Sequence, residues 1–139
     1  MSISPTINKV FGHFQNLNLL ILLQDLRDGR TARQSWQSGD SLCPVAHGLA
    51  AGQRVRELCA LGQTADLDQG CAYAARQLGA DPEAVFHFVR SWDEHVLGSQ
   101  WLVLQLHEIW QERLADAVAM QEMLQPRGYR IVERRFSHA

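Results

Sequence analysis

The chain has 139 residues, of which 46% are apolar and 20% are charged, and its formal charge is −2. A chain of this length fits one domain, and its composition is typical of a globular protein and not of a disordered one. The near-neutral charge provides no overall attraction to nucleic acid or to acidic membranes.

The cysteines are an odd number, and Cys43, Cys59 and Cys71 contain no C-x-x-C pair. This usage favours neither a disulfide framework nor a standard zinc site. It is typical of a reducing compartment, so we expect a cytoplasmic protein.

The first predicted helix covers residues 8–28 and ends at Gly29. Its most apolar part, residues 17–26, is interrupted by Asn18, Gln24 and Asp25. That part is much shorter than the roughly 20 residues of a membrane span and lacks the flanks of a signal peptide, so we expect no membrane insertion. We predict a core helix whose inward residues are Phe11, Phe14, Leu17, Leu20, Ile21 and Leu23.

The next segments are shorter. Residues 30–37 are predicted to form a short helix, and residues 39–52, with three glycines and Pro44, are predicted to be mainly loop. A further helix is expected over residues 53–61, with Gly62 as its end.

The loop contains the sequence Leu42-Cys43-Pro44-Val45, which resembles the short Cys-Pro haem-regulatory motif. The resemblance covers only these few residues, and it implies that the Cys43 thiolate ligates haem iron. If Pro44 begins a helical turn, His47 lies on the same side as Cys43, and the two could bind one metal. The alternative is a tight turn in which Cys43 is a buried small hydrophobe.

Residues 70–90 have the pattern of a DNA-binding helix-turn-helix. Thr64 or Asp66 is expected to begin a helix that ends at Gly79, and Asp81 caps a second helix that starts at Pro82. The positions predicted to be exposed on this second helix are Glu83, Ala84, His87 and Arg90. Its acidic beginning would repel phosphates, so an ordinary packed helix pair is the alternative to a DNA reader.

The longest helix is predicted from Ser99 to a stop at Pro126. Its apolar residues recur at spacings of three and four, and Arg113 interrupts the pattern. Trp101 and Trp110 are predicted interface residues, because tryptophan is enriched at interfaces and a helix this long is difficult for a small domain to cover. We therefore expect a homodimer. The positions with this spacing are Val103, Leu106, Trp110, Ala117, Met120 and Leu124.

No catalytic motif is present: the sequence has no G-x-S-x-G elbow, no phosphate loop ending in Gly-Lys and no H-E-x-x-H helix. The acid and histidine cluster at residues 93–95 is typical of a solvated helix end, and proton transfer is its alternative role. We predict no catalytic residues.

The sequence therefore predicts an all-α, single-domain helical bundle over residues 1–126, with a long C-terminal helix and a helix-turn-helix-like pair in the middle. Residues 127–139 are an Arg-rich tail, either an arm for an acidic partner or nucleic acid, or a frayed terminus. The leading hypothesis is a small non-enzymatic regulator or adaptor that acts through self-association and protein binding. The alternatives are a DNA-binding transcriptional regulator and a haem or metal sensor.

Overall fold

The computed structural model describes residues 3–49, 52–64 and 67–124, and within residues 62–64 only the backbone. The described chain is mostly helical, which confirms the predicted all-α class. Among the described residues, no helix combines the length and apolarity needed to cross a bilayer. The helices are α1 (Pro5–Phe11), α2 (Asn16–Arg27), α3 (Gly52–Thr64), α4 (Leu67–Leu78), α5 (Pro82–Asp93) and α6 (Ser99–Leu124).

Two short antiparallel strands, β1 (Gln37–Ser38) and β2 (Ser41–Leu42), lie between α2 and α3 and are followed by a 3₁₀ turn, Val45–Gly48. The chain forms two compact units, Met1–Ile109 and Trp110–Ala139. The described part of the second unit is the remainder of α6, up to Leu124. The predicted domain end at residue 126 and the predicted tail, residues 127–139, lie outside the described residues.

The sequence predicted one continuous first helix, and this is wrong, because the structure has two helices there, α1 and α2. The break between them allows both Phe11 and Phe14 to be buried, with ring centroids 5.0 Å apart. Of the six residues predicted to face inward, Phe11, Phe14 and Leu23 are buried, but Leu17, Leu20 and Ile21 are exposed, so the prediction is wrong for these three. The residues of α2 that are buried instead are Asn18, Leu19, Leu22, Leu23 and Leu26.

The core of the first unit is centred on aromatic contacts between α1 and α5. The ring of Phe11 meets that of Phe88 edge-on at a centroid distance of 4.9 Å, and Phe88 is nearly parallel to Trp92 at 6.1 Å. All three side chains are buried. Edge-to-face and offset-stacked rings add to the free energy gained from apolar burial, so these contacts fix α5 against α1.

The short helix predicted for residues 30–37 is also wrong, because residues 33–36 form bends, with a φ of +65° at Gln34, and the segment ends in β1. Arg33 holds it in place: its guanidinium lies 3.6 Å from the ring centroid of Trp92 and donates to the carbonyl oxygens of Trp92 and Leu97. The indole N–H of Trp92 donates to the carbonyl oxygen of Ala32 at 2.8 Å. The carbonyl oxygen and the N–H of Ala32 are thus hydrogen-bonded outside any helix. Local helix propensity therefore does not decide the conformation of residues 30–37.

The helices α3 to α5 follow the sequence prediction more closely. Helix α3 continues through Gly62, so that glycine does not end it. Helix α4 ends at Leu78, and Gly79 has a φ of +67°, a left-handed conformation that glycine adopts at little cost. Asp81 occupies the N-cap position of α5, as predicted, but makes no side-chain capping hydrogen bond.

Candidate functional site

The Cys-Pro loop is closed in the structure. The backbone N–H of Cys43 donates to the carbonyl oxygen of Trp36 at 2.9 Å, and the Cys43 side chain is buried. Desolvation raises the pKa of the Cys43 thiol to about 12, although the backbone N–H groups of Val45 and Ala46 act in the opposite direction. The thiol therefore stays protonated near neutral pH, whereas metal ligation requires the thiolate.

The imidazole of His47 is engaged at both ring nitrogens. Its Nδ1 lies 3.0 Å from the carbonyl oxygen of Cys43, and its Nε2 lies 2.9 Å from Oδ2 of Asp25. The side chain is almost fully buried. Neither nitrogen is therefore available to bind a metal or to exchange a proton with a substrate. The contact between His47 and Asp25 instead connects the 3₁₀ turn to α2.

Cys43 and His47, which the sequence predicts as joint ligands, line different cavities. Cys43 lines a cavity of about 190 Å³ together with Trp36 and Asp93. His47 lines a separate groove of about 440 Å³. The described residues contain no cluster of three or more histidine, cysteine or acidic side chains that could hold a metal ion. Haem or metal binding by this loop stays a sequence-based prediction, and it would require the turn to open.

The groove beside His47 has both polar and apolar lining residues. Its walls are formed by α2, the β1–β2 hairpin, the 3₁₀ turn and α3. Asn18, Ile21 and Asp25 line it from α2, where spacings of three and seven residues place them on one helix face. Arg56 of α3 and Asp40 of the hairpin also line it. An apolar concavity with a few convergent polar groups is the usual form of a small-molecule site.

Helices α4 and α5 are joined by a short turn at Gly79, and the exposed side of α5 carries charges of both signs. Glu83, His87 and Arg90 are exposed on α5, as the sequence suggests for a DNA reader. Ala84 is buried, contrary to the prediction, because it lies on the inner face of the helix beside Val85. The Arg90 guanidinium lies 3.8 Å from the Glu94 carboxylate, which reduces the positive charge that α5 offers to a phosphate.

Tryptophans 101 and 110 do not share one helix face. They are nine positions apart on α6, which is about two and a half turns, so their side chains point to opposite sides. Trp101 is 36% exposed, and Trp110 is half-buried. A single surface on α6 therefore contains one of the predicted interface residues and not both.

The described part of the second unit exposes several large apolar side chains close together in sequence. From residue 111 to residue 124, every side chain is exposed except that of Arg113, which is half-buried. The large apolar side chains of this segment are between 44% and 73% exposed, and they are Leu114, Val118, Met120, Met123 and Leu124. Methionine is common at adaptable binding surfaces because its side chain is flexible and polarizable.

Comparison with protein-family models, with curated proteins and with solved structures found no match to this chain. The functional inference therefore depends on the geometry alone.

Sequence reasoning missed Asn18, Asp25 and Arg33 as residues of structural or functional interest. For Asn18 and Asp25 a signal was present, since both interrupt the most apolar stretch of the chain. A polar residue on the inner face of an apolar helix must find a partner or face a cavity. Arg33 gave no comparable signal, because its contacts with Trp92 and Leu97 join residues about 60 positions apart.

Proposed function

We propose that this chain acts by self-association, as a small regulator or adaptor, and that the second half of α6 is its association surface. The observation that carries the proposal is the exposed apolar side of residues 110–124. On a helical projection, one arc of roughly 160° contains most of these side chains. We call this arc the apolar face, and Arg113 and Gln121 also lie within it. Its apolar members are Trp110, Leu114, Ala117, Val118, Met120 and Leu124.

Exposure of so many large apolar side chains on one helix is costly in water. Single exposed apolar residues are normal, but a contiguous group marks a surface that is covered in the working protein. Trp110, Ala117 and Leu124 recur every seven residues, with Met120 at an intermediate heptad position. This heptad spacing is typical of a helix that packs lengthwise against another helix.

A second copy of the chain fits this surface. The segment carries both signs of charge, with Arg113 beside Glu112 and Asp116. In a dimer with a two-fold axis each contact occurs twice. An arginine that lies beside acidic residues on one copy can therefore pair with the acidic residues of the other copy. The described part of the surface spans only about four helical turns, and we therefore expect the dimer to dissociate on dilution.

The test compares two double variants that add the same charge to the same stretch of helix. Leu114→Glu with Val118→Glu places two carboxylates on the apolar face. Ala115→Glu with Ala119→Glu is the matched control, because both alanines are exposed and lie about 100° further around the helix. Glutamate is a good helix former, so neither pair breaks α6.

Sedimentation velocity at several protein concentrations gives the readout. We expect the wild type and the control to dimerise, and the variant with a charged apolar face to sediment as a monomer with unchanged far-UV circular dichroism. Equal dimerisation of the two variants would place the interface elsewhere and would contradict the proposal. A monomeric wild type would contradict it as well.

The helix-turn-helix hypothesis is the second candidate, and the left-handed turn at Gly79 between α4 and α5 favours it. It predicts duplex DNA binding that weakens with added salt and that Arg90→Ala weakens further. Fluorescence anisotropy with a labelled duplex checks both effects. Equal binding by the wild type and Arg90→Ala would show that α5 does not bind DNA through Arg90.

A further inference from the structure

A second feature, independent of α6, is the side chain of Asn18 in the groove beside His47. Asn18 is only 9% exposed, and its side chain makes no hydrogen bond within the described parts of the chain. No fully buried side-chain nitrogen or oxygen of the described residues lacks a hydrogen-bond partner, so the polar atoms of the Asn18 amide are open to the solvent in the groove. Asn18 lines the groove, so a bound molecule could reach its amide.

Asp25 provides a second unused polar atom on the same helix face. Its Oδ2 is taken by Nε2 of His47, and its Oδ1 makes no hydrogen bond with the described residues. Asn18 and Asp25 are seven positions apart, which is roughly 10 Å along the axis of α2. Ile21 lies between them on the same face and is 45% exposed, so an apolar surface joins the two polar groups.

The charged side chains around the groove are mainly acceptors, since Asp25 and Asp40 contribute two carboxylates and Arg56 one guanidinium. Asn18 and Gln37 contribute amides, each of which can accept through its oxygen and donate through its nitrogen. The main donor is the guanidinium of Arg56, which already bonds to Oε1 of Gln53 at 3.0 Å. An acceptor-rich lining with an apolar wall selects a ligand that carries donors and positive charge on an alkyl body.

We propose that this groove is a binding site for a small organic cation of the alkylammonium or guanidinium class. The cationic head meets Oδ1 of Asp25, the alkyl body lies on Ile21, and a second donor reaches the amide oxygen of Asn18. His47 has a positioning role, because its bond to Oδ2 fixes the orientation of the Asp25 carboxylate. None of the residues that line the groove belongs to α6, so ligand binding and self-association are tested with different variants.

The probe is 1,4-diaminobutane, and succinate is its matched opposite, since both have four carbons and two charged ends. Isothermal titration calorimetry with the full chain measures both. We expect heat of binding with the diamine and none with succinate. Binding of succinate in place of the diamine would identify an anion site at Arg56 and would overturn the proposal.

The variant Asn18→Leu separates a ligand-binding role of Asn18 from a structural one. Leucine has a similar volume and needs no partner, so we expect the variant to weaken diamine binding about tenfold and to unfold at a higher temperature than the wild type. The control is Gln24→Leu, an equivalent polar-to-apolar change at an exposed position of α2 that does not line the groove. We expect it to bind the diamine as the wild type does.

Two results would contradict the proposal. The first is the absence of diamine binding to the wild type. The second is a lower unfolding temperature of Asn18→Leu with unchanged affinity, which would assign Asn18 a purely structural role. Neither result bears on the sedimentation of the α6 variants, so this proposal and the association proposal fail separately.

Discussion

His47 lies between two oxygen acceptors, the carbonyl of Cys43 and the carboxylate of Asp25, at 3.0 and 2.9 Å. A carbonyl oxygen only accepts, so Nδ1 is the donor in the first contact, and Nε2 faces the carboxylate oxygen in the second. The contact joins residues 22 positions apart and fixes the 3₁₀ turn on α2. The same contact shapes the groove and leaves the imidazole without a free nitrogen.

We expect His47→Leu to lower the free energy of unfolding by about 1–3 kcal/mol, because it leaves the partly buried Asp25 carboxylate without this donor and removes one of the two N–H groups that face the Cys43 carbonyl oxygen. Urea unfolding followed by circular dichroism measures the change. His87→Leu is the matched control at an exposed position, where a change within about 0.5 kcal/mol is expected. Equal stability of the two variants would mean that the His47 contacts contribute nothing to the fold.

The three cysteines are expected to differ in reactivity. Cys43 and Cys71 are buried, whereas Cys59 is half-buried, and burial raises the pKa of Cys43 and Cys71 to about 12. Ellman's reagent added to the native protein should modify Cys59 alone, and Cys59→Ser should abolish the fast reaction. All three thiols should react in denaturant. Fast modification of Cys43 would show that the Cys-Pro loop opens, which the haem hypothesis requires.

Asp93 gives a pH-dependent prediction. Desolvation raises the pKa of its carboxyl, although its Oδ1 accepts the backbone N–H of Gln34 at 2.7 Å and Arg33 lies nearby. A carboxyl with a raised folded-state pKa contributes stability below its unfolded pKa and loses that contribution as the pH rises through the folded one. Asp93→Asn keeps the acceptor and cannot ionise.

The stability of Asp93→Asn relative to the wild type should therefore increase between about pH 3 and about pH 7. Urea unfolding at a series of pH values measures the difference between the two proteins. A difference that stays constant would show that folding does not change the pKa of Asp93, and one that decreases with pH would show that folding lowers this pKa. Either result would contradict the prediction.

Gly70 is required by close packing. A Cβ at this position of α4 would lie 2.8 Å from Cζ2 of the buried Trp36 ring. We expect Gly70→Ala to destabilise the protein by about 1–3 kcal/mol despite the better helix propensity of alanine. At Gly52 of α3 a Cβ meets nothing within 4 Å, so Gly52→Ala should be neutral or stabilising. Thermal unfolding of the two variants checks the contrast.

The sequence predicted the elements whose boundaries depend on local chemistry. Gly79 and Pro82 mark the turn between α4 and α5 correctly, because a left-handed turn and a proline-started helix are local requirements. The long helix α6 was predicted equally well from the spacing of its apolar residues. Signals in the local sequence were sufficient to predict these elements.

The remaining errors came from distant contacts. Residues 30–37 are not helical because Arg33 and Ala32 bond to residues near the end of α5, and no pattern within the segment reveals this. The first helix breaks so that Phe11 and Phe14 both enter the core. The groove could not be predicted, because its walls come from α2, the hairpin, the 3₁₀ turn and α3, and only the fold brings them together.

The central claim is that two copies of this chain associate through the apolar face of α6. Sedimentation equilibrium of the wild type across a wide range of concentration tests it most directly. The account predicts a mass that rises with concentration from that of one 15.7 kDa chain to that of two. A mass that stays at one chain up to high concentration would contradict the account.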